Sequence, residues 1–287
     1  MKTAIIDIGS NSVRLALMAD GKTLYKRLST TRLGEGLSLC GRLDGVAIKR
    51  TAEAVSSFKE QALSDGADKV FAFATAAVRS AENGNEFLLA AKKISGLEVD
   101  VISGETEAKI GITGALGNSD GGIIDIGGAS TEVTVQCGGE TLYAVSADIG
   151  AVRLFDIAGR DEKKLKNTIE NALGVFDGFS YDTKMWGVGG TATTLAALKL
   201  NLSAYDPEKI QACVFEAEEI EELSYKLLSM PVDEIRRHIP DKKRADIIGG
   251  GALLLSMLIN KFKIKKLFVS DRDNLEGYYL YCGGRYV

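Results

Sequence analysis

At 287 residues, with 45% hydrophobic and 26% charged side chains and only three prolines, the chain has the composition of an ordinary globular protein of about two domains rather than a disordered or fibrous one. A net charge of −4 gives it no long-range attraction for nucleic acid, so a polyanionic ligand would need a local basic patch. Cys40, Cys137, Cys213 and Cys282 are scattered without CxxC or Cys/His spacing, which points to reduced thiols rather than a zinc site or a disulfide framework. No apolar run reaches the ~18 residues of a membrane span and no room precedes the first strand for a signal peptide, so a cytoplasmic protein without a membrane partner is expected.

In chain order, Thr3–Ile8, Ser12–Met18 and Leu24–Leu33 read as a three-stranded meander. A Gly-rich loop over Leu33–Gly45 follows, and Asp44 then caps an amphipathic helix through Leu63, with Ala47, Thr51, Ala54, Val55, Phe58 and Ala62 at helical spacing. Strand Val70–Ala74, a short helical turn carrying Arg79, helix Glu86–Ile94 and strand Val99–Ile102 complete an α/β unit with a mixed sheet. Ser103 or Gly104 caps the next helix, whose first turn holds Glu105 and Glu107. Acids are favoured in any first turn by the helix dipole, yet this one begins at the carboxyl end of a strand, where open α/β sheets place ligands. LGNSDG over Leu116–Gly121 is the clearest linker, dividing lobes 1–117 and 118–287, with the last helix able to pack back on the first.

The second lobe repeats the meander in Gly122–Ile126, Ser130–Cys137 and Thr141–Ala147. Helices from about Ala151 and over Asp161–Phe176 follow, then strand Met185–Val188 running into a Gly pair and the helix Gly189–Leu198. That helix start is an anion site or a close packing point. Helices over Glu216–Leu228, after Pro231 and over Arg244–Ile259 precede strand Lys266–Val269 and helix Leu275–Tyr281. Three consecutive glycines in the Arg244–Ile259 helix imply close approach of a neighbouring helix or a nucleotide-sized ligand.

The feature that organises the chain is a duplication: IIDIG occurs at Ile5–Gly9 and again at Ile123–Gly127. Each copy is a β-branched strand ending in an acid, then a Gly turn with small polar residues. Such a turn can aim backbone N–H groups at an anion while the acid holds a cation. Two copies suggest two homologous lobes facing one phosphate-bearing ligand. Lys22, Lys26, Arg27, Arg32 and Arg42, with Arg14 just before them, form either a basic patch for that ligand or a solvated strand face.

The motifs DIGSNSVRL (Asp7–Leu15), TAAVRSAEN (Thr75–Asn83), ISGETEA (Ile102–Ala108), IIDIGGASTE (Ile123–Glu132), GVGGTATTLAAL (Gly187–Leu198) and RADIIGGGALLL (Arg244–Leu255) together resemble the exopolyphosphatase and guanosine pentaphosphate phosphatase family (Ppx/GppA), in its short two-domain form. The resemblance implies two ribonuclease-H-like lobes of the actin-like ATPase type, with mixed sheets flanked by helices and a ligand cleft between them. It implies release of terminal phosphate from inorganic polyphosphate, guanosine pentaphosphate or both, polyphosphate or guanosine penta- or tetraphosphate as ligand, and Mg²⁺ as cofactor; a homodimer is the expected assembly. Glu107 would be the base acting on the attacking water, and Asp7, Asp125 and Glu132 would surround the Mg²⁺. The loops Gly9, Ser10, Asn11, Ser12 and Gly127, Gly128, Ala129, Ser130, with Arg14, would cradle phosphates. Arg79 would neutralise phosphate charge, and Gly190 and Thr191 would serve a further phosphate or the nucleotide end. The HD-type activity of longer members is excluded, since its metal site needs several histidines and His238 stands alone.

Two positions depart from the family pattern. Ala129 replaces the third glycine of GGGS, harmless if its φ is negative and costly if positive. Thr106 replaces the first acid of a Glu-Glu pair, with Glu105 one place earlier. A non-catalytic polyphosphate or alarmone sensor therefore stands as one alternative, and a sugar-type kinase as another, weakened by GSNS where such kinases commonly have GGT.

Overall fold

The computed structural model describes residues 1–285 and contains two α/β halves. In the first, β1 (Lys2–Ile8), β2 (Ser12–Ala19), β3 (Lys22–Thr30), β4 (Lys69–Ala74) and β5 (Val99–Val101) form a sheet ordered β3-β2-β1-β4-β5. The three meander strands are antiparallel, and β1, β4 and β5 run parallel. Helices α1 (Leu37–Cys40), α2 (Gly45–Ser64), α3 (Ala76–Ser80) and α4 (Gly84–Ser95) interleave with them, and α5 (Gly104–Leu116) leads out.

The second half contains β6 (Gly121–Ile126), β7 (Thr131–Cys137), β8 (Glu140–Ala147), β9 (Met185–Val188), β10 (Val214–Glu216) and β11 (Lys266–Val269). Their order β10-β11-β9-β6-β7-β8 repeats the first sheet with one antiparallel edge strand added. Its helices are α6 (Ala151–Ala158), α7 (Glu162–Leu173), α8 (Gly189–Lys199), α9 (Pro207–Gln211), α10 (Ala217–Ser229), α11 (Val232–His238), α12 (Ile248–Phe262) and α13 (Asn274–Arg285). The duplication extends to irregularities. The β2–β3 register slips between Leu17 and Met18, and β7–β8 slips at the equivalent Val135 and Gln136. These are two ribonuclease-H-like lobes, as the sequence implied.

The predicted capping is realised: Asp44 accepts from the amides of Val46 and Ala47, and Ser103 accepts from that of Thr106. Three details differ from the sequence reading. The loop after β3 contains α1, held by buried Leu37, and the second lobe contains α9 and β10, too short to show a period. The helix expected from Arg244 begins at Ile248, after a 3₁₀ turn over Lys242–Arg244. Its glycines admit neighbouring elements: a Cβ on Gly249 would meet Leu228 at 3.0 Å, one on Gly250 Leu165 at 3.4 Å, and one on Gly251 Thr191 at 3.1 Å. Protein packing, not a ligand, accounts for the triplet.

Each half has its own apolar core, one centred on Ile6, Leu15, Val55 and Phe87, the other on Ile124, Leu165, Phe215 and Leu254. Two helices tie them together. From α5, Ile110 packs with Ile5, Met18 and Phe73 of the first sheet, whereas Ile112 packs with Ile123 and Val188 of the second. Helix α13 returns to the first sheet, where Tyr278 stacks on Phe73 with centroids 4.3 Å apart and donates to Asp100 Oδ2 at 3.0 Å. The crossing of α5 and α13 is so close that a Cβ on Gly114 would lie 1.9 Å from the Asp273 carbonyl, and one on Gly277 1.8 Å from that of Ile110. Gly114→Ala and Gly277→Ala are each expected to destabilise the protein by about 1–3 kcal/mol or more through overpacking. Urea denaturation checks this, an unchanged midpoint being the contrary result.

Candidate active site

Between the sheets lies a cleft of about 680 Å³ lined from both lobes. Both Gly turns open into it and share their geometry: Gly9 N–H donates to Ser12 O and Gly127 N–H to Ser130 O, each at 3.0 Å. Their carbonyls are held inside the protein. Ser10 O accepts from Gly34 N–H at 2.8 Å, and Asn11 O accepts from the amides of Thr31 and Arg32. Gly127 O and Gly128 O accept from the first residues of α6, and Ala129 O accepts from Arg153 Nε at 3.0 Å. Because a trans peptide points its N–H opposite its C=O, this arrangement turns the amides of Asn11, Gly128 and Ala129 the other way, the orientation an anion requires. The loops also touch: a Cβ on Gly128 would lie 2.7 Å from Ser10 Cβ, so glycine is required there by proximity. Ala129 is not among the described non-glycine residues with positive φ, so its methyl is tolerated.

Strand register sets the acids. Asp125 at the end of β6 lies directly opposite Glu132 on β7, and Asp7 at the end of β1 lies opposite Arg14 on β2. Arg14 is therefore the first-lobe equivalent of Glu132. It is ion-paired to Asp7 and to Asp273, which follows β11. Glu107 reaches the cleft from the first turn of α5. Its Oε2 accepts from Arg79 at 3.0 Å, and the same guanidinium nitrogen donates to Ile102 O at 2.8 Å. Glu132 accepts from Ser146 Oγ at 2.7 Å. Asp7 Oδ1 is buried without a hydrogen-bond partner.

Asp7, Gly9, Ser10, Asn11, Ser12, Arg14, Glu107, Asp125, Gly127, Gly128, Ala129, Ser130, Glu132 and Gly190 all line the cleft. Two sequence candidates do not. Arg79 is not among the cleft-lining residues and donates to the Glu107 carboxylate beside the cleft. Thr191 turns its hydroxyl to Ile126 O at 3.1 Å and packs against Gly251, because the first turn of α8 rests on β6. Glu105 is exposed on an outer groove with Thr106, so of this pair of acids only Glu107 serves the cleft.

The expected basic patch is also largely spent. Lys26 pairs with Asp271 and Glu276, Arg32 with Asp246, and Arg42 with Glu82 and Glu86. Sequence reasoning missed Asp273 and Arg244. Asp273 lies in the SDRDN break after β11 and carried the same strand-end signal as Asp7 and Asp125. Arg244 lies over Gly190, its guanidinium 2.1 Å from where a Cβ would stand, and it opened a segment in which only the Gly triplet was singled out. Gly189 (φ +71°) likewise makes room for the Asp125 carboxylate.

The cleft is acidic, with seven carboxylates against four basic side chains among its lining residues. Burial pushes Glu107 up to about 7 despite Arg79, and burial with the charge of Asp273 pushes Asp125 to about 7. Burial and the charges of Glu107 and Asp125 raise Glu132 well above the usual range, whereas Arg14 and Lys26 outweigh burial at Asp273 and hold it low. In the unfolded chain Asp125 and Glu107 would release their protons near 3.8 and 4.5. Between those values and about 7 the folded state therefore binds more protons, and stability falls as pH rises through that window. The melting temperature of cation-free protein is expected to drop between about pH 5 and about pH 7.5, with a flatter slope in Asp125→Asn; a rise over that interval would contradict these protonation states.

Among proteins of known sequence, the Ppx/GppA phosphatase family matches residues 12–281. Exopolyphosphatase 2 of Mycobacterium tuberculosis is 30% identical over 99% of each chain. Guanosine-5'-triphosphate,3'-diphosphate pyrophosphatase of Photobacterium profundum is 33% identical over 69% of this chain and 43% of its own length. The crystal structure of the Aquifex aeolicus member of the Ppx/GppA family superposes with a TM-score of 0.78 at 30% identity, covering 99% of this chain and 98% of that one. Two lobes, two facing Gly turns and this likeness over nearly the whole length agree: the chain belongs to the Ppx/GppA phosphatase family.

Proposed function

We propose that the protein is a Mg²⁺-dependent phosphohydrolase that releases terminal phosphate from inorganic polyphosphate, guanosine pentaphosphate or both. The observation that carries this reading is the position of Glu107, a buried carboxylate at the start of α5 facing two N–H-lined loops across the cleft. The relatives named for polyphosphate and for guanosine polyphosphate hydrolysis support the substrate class. No helix among the described residues is long and apolar enough to cross a membrane.

Phosphoryl transfer depends chiefly on positioning and charge neutralisation. The amides of Asn11, Gly128 and Ala129 would bind phosphate oxygens and orient the chain of phosphates. Glu107, with a pKa near neutrality, would accept the proton of the attacking water, and Arg79 holds its carboxylate in place. Water would be the nucleophile where no other acceptor enters.

An acidic cleft needs a cation to admit a polyanion. Among the described residues no group of three His, Cys, Asp or Glu side chains forms a ready metal cage. Mg²⁺, however, is commonly held by one or two carboxylates, waters and the phosphates themselves. The all-oxygen donors and the unpartnered Oδ1 of Asp7 fit an ion bound in that manner, which one or two of Asp7, Asp125 and Glu132 would hold. When bound, Mg²⁺ would neutralise charge on the phosphate oxygens.

Glu107→Gln is expected to lower phosphate release by about 10²–10⁴-fold while leaving ligand affinity nearly unchanged. Release from polyphosphate and from guanosine pentaphosphate, side by side and with Mg²⁺ or a chelator, tests the reading. Wild-type turnover by the variant, or turnover indifferent to chelation, would sink it.

A further inference from the structure

The segment that carries Arg244 into the cleft is gripped from the opposite lobe. Thr30 Oγ1 donates to Asp241 Oδ2 at 2.9 Å, and Lys243 Nζ donates to Thr30 O at 3.0 Å. Arg32 does most. One guanidinium nitrogen donates to both carboxylate oxygens of Asp246, at 2.9 and 2.7 Å, and to Lys243 O at 2.7 Å. The pair is largely shielded, with side chains 26% and 15% exposed, and so belongs to a stronger class than surface ion pairs such as Lys92–Glu98 at 61% and 82%.

The same residue also shapes the first loop. Arg32 N–H donates to Asn11 O at 2.8 Å, beside the Thr31 amide at 3.1 Å, and Arg50 Nε fixes the Thr31 carbonyl at 2.7 Å. To point its amide at Asn11 and its side chain at Asp246, Arg32 adopts φ +52°, a left-handed conformation that residues with a Cβ rarely take. Such strain persists only where surrounding contacts hold it, and here the contacts lie in both lobes.

We propose that Arg32 and Asp246 are positioning residues. They form an interlobe clasp that sets the Asn11 loop of the first lobe against the Arg244 segment of the second and holds the lobes in the arrangement that receives phosphate. The proposal rests on the phosphohydrolase reading for its kinetic consequence, but not for its structural one. Nothing in the clasp touches reacting atoms. Its loss lowers the fraction of protein in the receptive arrangement, and apparent affinity falls by that fraction, while saturating ligand restores closure.

Arg32→Gln and Asp246→Asn are therefore expected to raise KM for tripolyphosphate and for guanosine pentaphosphate roughly tenfold, with kcat changed less than about threefold. The double variant should be no worse than the more affected single one, since both remove one interaction. Arg32→Lys, which keeps the charge but on a shorter side chain with a differently placed donor, should fall between. Lys92→Gln, removing an exposed pair on the same lobe, should behave as wild type. In ligand-free protein, small-angle scattering should give a larger radius of gyration for both single variants.

Melts run in parallel establish that each assay is made on folded protein. A lower melting temperature with unchanged KM and radius would overturn the clasp in favour of a purely structural pair, as would additive KM effects in the double variant. If the wild type released phosphate from neither substrate, the proposed function would fail by itself, and scattering would still decide the clasp.

Discussion

The constraint on which the site depends is electrostatic: buried carboxylates outnumber the cations that face them in a cleft closed on two sides by protein. Desolvation penalises each charge, and their mutual repulsion penalises the set. The protein resolves this unevenly. Asp7 and Asp273 share Arg14, whereas Asp125 and Glu132 face each other across β6 and β7 and neither forms an ion pair among the described residues. The first lobe carries its neutralising charge in its own sequence. The second leaves a deficit of positive charge.

That difference arises at one pair of equivalent positions. The offset relating Ile5 to Ile123 also relates Arg14 to Glu132, and both follow the same turn and face the same strand-end acid. With the backbone unchanged down to its bulge, one charge reversal divides a duplicated hairpin into a self-neutralised copy and a charge-deficient one. Both lobes keep the Gly turn, while two acids without an ion pair among the described residues lie together on β6 and β7.

Much of this was legible in the sequence because it is local. The meanders, the strand-end acids, the Asp44 and Ser103 caps and the Gly turns depend on short-range pattern, and all took the expected form. What could not be read were pairings between distant segments. Nothing near Arg79 in sequence shows that it donates to Glu107, and nothing near Lys26 or Arg32 shows that acids some two hundred residues away will claim them. The Thr191 hydroxyl shows the same limit. A polar residue in the first turn of a helix is equally suited to a ligand and to the carbonyl of a neighbouring strand, and only the packing of α8 on β6 decides. Short elements such as α1, α9 and β10 are set by tertiary contact and lack enough residues to display a period.

The return of α13 to the first sheet bears on how the protein is born. Ile5, Met18 and Phe73 are covered in part by Leu275 and Tyr278, made some two hundred residues later. At typical synthesis rates that interval lasts roughly ten to forty seconds. Until then Ile102 and Ile110 alone of that cluster's later residues cover this face of the first sheet, so the amino-terminal lobe reaches its final packing only after the carboxyl-terminal helix is made.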